Sequence, residues 1–364
     1  MSYRTIKFSW LPSTCAGWLV FTSVRKEAAR LWSWLVERHA TIRQLGGTWP
    51  SKAALQAEAK GLFPGRHSQS VQQIIADFCE AVASAESLRR RGEPFEYPFR
   101  KTTYRQVIFT NQAPRFRTGR MILPCGKAGS LAIRMPRGVT LPGRLMEVRL
   151  GYGEVELVCE VLTEPRPPGP TIGIDLGVNA ILAATDGDKA ILVSGREIKA
   201  TVQLRNKRLA AIVAKQAKKR KGSRRHKRLQ RSKHRMLGRT KNKVRDLCHK
   251  ATRKVADAFP NAQAYVGEPF NDACRKIDGV RAQTVSAACN RKIINLLSYK
   301  LAACIEVEEH YTSRTCPVCG ERSKQGRTYR CRRCGYVAPR DVVGCTNLGL
   351  LGNKLNNHRL GEMV

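Results

Sequence analysis

Residues 171–185, TIGIDLGVNAILAAT, decide how the rest of the chain is read. The run Ile172-Gly173-Ile174 is too short and too β-branched for a helix, and Gly177 ends it, so Asp175 is expected to project from a strand end. A second apolar run, Ala180 to Ala184, is followed by Asp186-Gly187-Asp188 and a third run, Ala190 to Val193. Asp-Gly between apolar runs is a hairpin signal. The stretch therefore predicts a three-stranded antiparallel meander with Asp186 and Asp188 as turn residues.

Composition sets the frame around it. At 364 residues the chain is long enough for two or more domains. Its 66 Lys plus Arg against 28 Asp plus Glu give a net charge of +38, which favours a polyanionic partner, nucleic acid before a membrane surface. No run of 18 apolar residues exists, so no membrane span is expected. Arg4 and Lys7 precede a partly apolar stretch that Pro12, Ser13 and Thr14 interrupt, which reads as mature protein and not as a signal peptide. The 13 cysteines are an odd number, most of them among apolar neighbours, so buried thiols in a reducing prokaryotic cytosol or nucleoid are expected in place of a disulfide framework.

In chain order, residues 3–10 read as a strand ended by Pro12. Residues 23–92 are Ala-, Gln- and Glu-rich with apolar residues at three- and four-residue spacing, and read as a helical bundle. All five Trp precede residue 50; Trp32 and Trp34 cannot share one helix face, and packing is the expected role for both. Residues 93–165 switch to short β-rich runs between Pro and Gly, predicting a small barrel or sandwich that the first strand joins. Pro165 to Pro170 then read as a stiff linker.

From Arg205 to Lys254 the chain holds 22 Lys plus Arg, one acid, Asp246, and no aromatic residue. Val244, Leu247, Cys248, Ala251, Val255 and Ala258 recur at helical spacing, so this is a helix with one apolar stripe and a basic remainder, broken from an earlier helix at Gly222-Ser223. Basic helices are thus expected over 199–258. A charge run is ordinarily a solvated face. Here the missing counter-charges point to phosphate contact through Lys218, Lys219, Arg220, Lys221, Arg224, Arg225, Lys227, Arg228, Arg231, Arg235, Arg239, Lys241 and Lys243. Without aromatics the run should follow a backbone and not stack bases.

A further strand, AQAYVGEPF, carries Glu268 at its end; a helix over 282–300 and the strand ACIEVEEHY follow. Three antiparallel strands, helix, strand, helix, strand is the order of a ribonuclease-H-like α/β core. Cys316 and Cys319, eleven residues, then Cys331 and Cys334 form two knuckles, each followed by Gly, and predict a zinc ribbon with one structural Zn²⁺. Arg340-Asp341 open a last short helix containing Asn347. Taken singly, each acid reads as a cap or a turn residue. Together Asp175, Glu268 and Asp341 would form a carboxylate cluster for two Mg²⁺ or Mn²⁺ ions in phosphodiester hydrolysis, with Arg340 against the scissile phosphate.

IGIDLGV with its DGD hairpin, the basic helices leading to His249-Lys250, the strand ending in Glu268, YTSRTCPVCG, CRRCG and Arg340-Asp341 with Asn347 resemble the TnpB family of insertion-sequence-encoded RNA-guided nucleases and the related small type V CRISPR effectors. The resemblance covers 171–352 motif by motif. It implies a RuvC-like nuclease core over 171–315 and 340–355 with Asp175, Glu268 and Asp341 as catalytic residues, and a zinc ribbon over 316–339 inserted in it. Ahead of them it implies a wedge-like β-barrel over 1–22 and 93–165, a helical recognition insertion over 23–92 and a linker at 166–170, with 356–364 left as a tail. The implied partners are a guide RNA and a target DNA beside a short recognition motif, with base pairing supplying specificity. Two other functions stay open: an RNA-guided binder that represses without cutting, and an unguided structure-specific nuclease.

Overall fold

A computed structural model of the chain describes residues 2–63, 67–162, 167, 169–267, 289–323 and 326–361. The chain divides into two compact units, Met1–Thr163 and Glu164–Val364.

The first unit opens with β1 (Ser2–Ser9), then three helices, α1 (Cys15–Gln44), α2 (Lys52–Leu62) and α3 (Ser68–Arg90). Side chains close the helix starts: Thr14 Oγ1 accepts from Gly17 N at 3.1 Å and Ser51 Oγ from Ala54 N at 3.2 Å. Strands β2 (Val107–Thr110), β3 (Arg115–Arg117), β4 (Arg120–Pro124), β5 (Ser130–Arg134), β6 (Arg144–Leu150) and β7 (Glu154–Val161) complete the unit. They form two sheets, ordered β1-β7-β6-β2 and β3-β4-β5, both antiparallel.

The expected barrel is therefore not closed among the described residues. The four-stranded sheet ends at β2, and α1 and α3 pack against that strand. The helical segment inserted between β1 and β2 supplies the apolar cover that a closing strand would otherwise give. Ile74, Ile75 and Phe78 of α3 and Val107 and Phe109 of β2 are buried in one core. Trp32 meets Phe78 edge-on at 5.0 Å and Trp34 meets Phe63 at 5.9 Å, so both indoles pack, toward different neighbours.

The second unit holds β8 (Thr171–Asp175), β9 (Ala180–Thr185), β10 (Ala190–Ser194), α4 (Arg196–Ala217), α5 (Arg224–Ala258), β11 (Gln263–Gly267), α6 (Asn290–Lys300), β12 (Ala303–Val307), β13 (Thr328–Arg330), β14 (Val337–Pro339) and α7 (Arg340–Gly361). The main sheet runs β10-β9-β8-β11-β12. β8, β9 and β10 form the antiparallel meander, while β8, β11 and β12 are parallel. Asp186 Oδ1 accepts from Asp188 N at 3.1 Å and Lys189 N at 2.8 Å, so Asp186 is spent on the turn. Helix α6 is described from Asn290, and the earlier part of the 282–300 expectation lies outside the described residues. The apolar stripe of α5 (Val244, Cys248, Ala251, Val255) and Ile293, Ile294 and Leu297 of α6 are buried in one core with Ile172, Ile174 and Val266 of the sheet.

Helix α7 lies on β8 at very short range. A Cβ on Gly173 would overlap Cys345 O and Gly349 N, and one on Gly352 would overlap the ring of Tyr265. Gly173 is thus required by close backbone approach, not by its dihedral angles. Among the described residues no helix is long and apolar enough to cross a membrane. Gly173→Ala is expected to destabilise this unit by more than about 3 kcal/mol, because both clashing atoms are backbone. Gly187→Ala, where a Cβ meets nothing within 4 Å but φ is +111°, should cost only the backbone strain of about 1 kcal/mol. Urea unfolding of the two variants measures the difference.

Candidate active site

The contact of α7 with β8 sets the geometry of the acids. Asp175 is the last residue of β8 and Asp341 the second of α7. A Cβ on Gly344 would lie 2.8 Å from Asp175 Oδ2, so Gly344 leaves the room that this carboxylate occupies. Both acids are half-buried. Desolvation first, and the charge of Asp341 second, push Asp175 up to about 6; Arg340 and the N–H of Leu176 pull the other way without restoring it. Glu268 lies outside the described residues, directly after Gly267 at the end of β11, the strand beside β8.

A further acid, Glu309, joins this cluster and was not among the expected residues. It follows β12, and Thr312 donates to the Glu309 carbonyl from N at 3.3 Å and from Oγ1 at 3.2 Å, while Tyr311 takes a left-handed φ of 59°. This tight turn directs the side chain back to the sheet end, where a Cβ on Gly267 would overlap the Glu309 carboxyl group. Burial first, then the charge of Asp175, push Glu309 up to about 7. The Thr312 bonds take the main-chain carbonyl of Glu309, which any residue would offer, so the sequence carries no signal that singles this acid out.

The same turn fastens the ribbon to α7. Asn347 Nδ2 donates to both Thr312 O and Thr315 O at 2.7 Å. Cys316 follows at once. Its knuckle closes with Gly320 N on Cys316 O at 3.0 Å, and the second knuckle with Gly335 N on Cys331 O at 3.1 Å; both glycines have positive φ, 75° and 74°. The four thiols of Cys316, Cys319, Cys331 and Cys334 lie within 4.8 Å of one another, with Sγ separations of 3.6 Å for Cys316–Cys334 and 3.4 Å for Cys319–Cys331. A tetrahedral zinc with Zn–S bonds of about 2.3 Å places its sulfurs about 3.8 Å apart, so the donor set fits. Four protein ligands leave no open position, which makes the site structural. Buried Tyr329 and Val343 join this site to the first turns of α7.

Among the described residues these cysteines alone offer three or more donor atoms in metal-holding range. Asp175 and Asp341 are two hard oxygen donors whose like charges are offset by Arg340 only in part, a field that a divalent cation would relieve.

The expected basic residues fall on the loop after α4 (Lys218, Lys219, Arg220, Lys221) and on α5 (Arg224, Arg225, Lys227, Arg228, Arg231, Arg235, Arg239, Lys241, Lys243), and every one is exposed. Lys243 pairs with Glu197 at 3.1 Å; among the described residues it alone of these has an acidic partner. At about 1.5 Å per residue the 35-residue α5 is about 50 Å long, so the face spans many phosphates. Arg340 is exposed beside the acids.

Comparison with known proteins agrees with this arrangement. The family model described as a probable transposase (OrfB of IS605) matches residues 154–263, and that of the Cas12f1-like TNB domain matches 291–348. Over these two stretches the chain is similar to TnpB and the small type V effectors. It is 34% identical to a TnpB-like protein of Methanocaldococcus jannaschii over 128 residues, 34% of this chain and 59% of that one, so the match spans less than two thirds of that relative. It is 26% identical to the putative RNA-guided DNA endonuclease InsQ of Escherichia coli K12, over 91% of this chain and 82% of that one. In fold it is similar to Cas12f1 in a cryo-EM complex with single guide RNA and target DNA, with a TM-score of 0.64 at 12% identity over 91% of this chain and 82% of that chain.

The raised Asp175 predicts a stability signature. A carboxyl whose folded pKa is about 6 against 3.8 unfolded is fully favourable only below 3.8, and its ionisation costs stability as pH rises through 6, by about 3 kcal/mol at pH 8. Without divalent ions, Asp175→Asn should therefore raise the melting temperature at pH 8 and leave it nearly unchanged at pH 4. Mn²⁺ should stabilise the wild type at pH 8 and the variant much less, as thermal scans with and without the ion would read.

Proposed function

We propose that the chain is an RNA-guided DNA endonuclease whose RuvC-like site is built on Asp175, Glu268 and Asp341. The observation that carries this reading is the meeting of Asp175 and Asp341 at one sheet end, where Asp175 is desolvated, faces the charge of Asp341 and is flanked by Arg340. Two like charges held there are poorly explained as caps or turns, whereas they suit a site for hard cations. The similarity to TnpB and the small type V effectors, and the description of InsQ as a putative RNA-guided DNA endonuclease, favour the same activity.

In this reading Asp175, Glu268 and Asp341 hold two Mg²⁺ or Mn²⁺ ions. When bound, these supply an activated water and charge stabilisation on the leaving oxygen. Asp175 is positioned by the packing of α7 on Gly173 and by the space left at Gly344, so its place at the sheet end is set by the fold. Arg340, on the solvent side, orients the scissile phosphate and balances the carboxylates. Glu309, against Gly267 and near enough to Asp175 to feel its charge, is raised to about 7 and can hold a proton near neutral pH. The ribbon, tied through Asn347 to the helix that carries Asp341, fixes the approach of that helix. The exposed face of α5 takes the phosphate backbone of the guide RNA or its duplex with DNA, and base pairing of the guide selects the target. The first unit serves as wedge and recognition module.

The test begins with the RNA that co-purifies with the protein when it is expressed with its native flanking DNA. Programmed with that RNA, the wild type should cut a matching target in Mg²⁺, and Asp341→Ala should lose cleavage by about a thousandfold, the equivalent of roughly 4 kcal/mol, while retaining RNA and target binding. Equal cutting without RNA would leave an unguided nuclease. Target binding with no cutting by the wild type would leave a guided repressor.

The basic face makes a separate prediction. Replacing Arg224, Arg225, Arg228 and Arg231 by Gln should weaken RNA binding at low salt and lower the slope of log K against log salt by about 3, since each phosphate no longer neutralised takes roughly 0.7 to 0.9 from it. Filter binding between 50 and 300 mM NaCl, roughly the range in which such charges are screened, measures that slope.

A further inference from the structure

Among the described cysteines outside the four-cysteine cluster, two meet. Cys248 lies in the C-terminal third of α5 and is fully buried. Cys289 is the residue just ahead of α6, half-buried, in a left-handed conformation with φ 57°. Both pack into the same core, where α5 meets α6, and their thiols are close enough to influence one another's ionisation. The two helices are also joined by Lys300, whose Nζ donates to His249 O at 2.9 Å and Thr252 Oγ1 at 2.6 Å, so the cysteines face each other across a fixed helix pair. Neither thiol is needed for the proposed nuclease chemistry.

Their surroundings are unequal in a way that matters for reactivity. Cys289 is the more exposed of the two and sits at the N-terminal end of an 11-residue helix; Lys292 is near both thiols, and Arg205 adds a positive charge near Cys289. The neighbouring Cys248 thiol and those cations favour the Cys289 thiolate against its partial burial. Cys248 is shifted the opposite way, first by that same contact and then by burial. A partly accessible thiolate beside a buried thiol is the arrangement of an attacking and a resolving cysteine.

We propose that Cys289 and Cys248 form a peroxide-sensitive dithiol site, in which Cys289 is oxidised first and Cys248 resolves it to a disulfide. The Cys289 thiolate attacks one oxygen of a hydroperoxide; an S–O bond forms, the O–O bond breaks, and the leaving oxygen takes a proton as water or alcohol. Cys289 is then a sulfenic acid. The Cys248 sulfur, losing its proton, attacks the Cys289 sulfur; the S–S bond forms and the S–O bond breaks, releasing water. Two thiols are oxidised by two electrons and one peroxide is reduced. The bridge would tie α5, whose other face is the basic surface, to the start of α6. It would also enclose residues 249–288 in a covalent loop, Glu268 among them. In a reducing compartment such a bond is transient, and thiol exchange reverses it.

The test uses the full-length, zinc-loaded protein, so that the ribbon cysteines are held by metal. Reduced protein is treated with hydrogen peroxide, quenched with N-ethylmaleimide and mapped by peptide mass spectrometry. The expected product joins the peptides of Cys248 and Cys289 and disappears with dithiothreitol. With dimedone present, Cys248→Ser should accumulate the adduct on Cys289, at about tenfold the level on exposed Cys15, and Cys289→Ser should show none on Cys248. The proposal is overturned if wild-type protein oxidises at Cys15 or the ribbon with no Cys248–Cys289 link. It is equally overturned if Cys289 pairs with another cysteine, or if the Cys248→Ser adduct on Cys289 is no greater than that on Cys15.

Discussion

The second unit depends on the close approach of α7 to β8. Helices usually rest on a sheet about 10 Å away because side chains intervene; here Gly173 and Gly349 remove them, and backbone meets backbone. That contact does more than pack. Asp175 ends the strand and Asp341 starts the helix, so the distance between two carboxylates follows from the distance between two main chains. Gly344 carries the same logic into the site, since its missing side chain is the space that Asp175 Oδ2 fills. The glycines of IGIDLG and of the last helix are thus functional through geometry, although none bears a reactive group.

Such a site is held against its own electrostatics. Asp175 is pushed up to about 6 and Glu309 to about 7, in each case by burial first and by a neighbouring acid second. Each ionised acid there opposes folding at neutral pH, and the surrounding core must offset it. The buried stripe of α5, the apolar side of α6 and the sheet supply that reserve. The ribbon adds to it in a different way: with four thiols converging and Asn347 bridging two carbonyls of the preceding turn, the start of α7 is fixed from outside the sheet. A metal that closes the ribbon therefore stiffens the element that carries Asp341, without itself touching the chemistry.

The sheet meander, the two basic helices and their break, and the four zinc ligands were legible because each rests on a local rule: alternation of apolar runs, helical spacing or fixed cysteine spacing. Asp175 and Asp341 were legible as candidates for the same reason, being acids at the ends of recognisable elements. Glu309 was not, because its place depends on a left-handed Tyr311 and on two hydrogen bonds from Thr312, and nothing in the spacing of EEHYTS says which of its acids turns inward. Barrel closure in the first unit failed as an expectation because short strands between Pro and Gly do not say what covers the last one; α1 and α3, inserted after β1, cover β2. Cys248 read as one more member of an apolar stripe, which it is, and its meeting with Cys289 is a tertiary fact that spacing cannot carry.

The division of charge along the chain follows from the same separation of roles. The carboxylates are few and desolvated, so their effect is strong and short in range. The cations of α5 are many and exposed, each weak and screened by salt, and only their number gives them force on a polyanion. One helix bridges the two regimes: the buried face of α5 packs on the sheet that ends in Asp175, and its exposed face carries the arginines and lysines. The buried residues of α5 run from Val244 to Val255 and the exposed cations named above from Arg224 to Lys243, so the C-terminal part of the helix anchors it in the core while the part before it presents the charge.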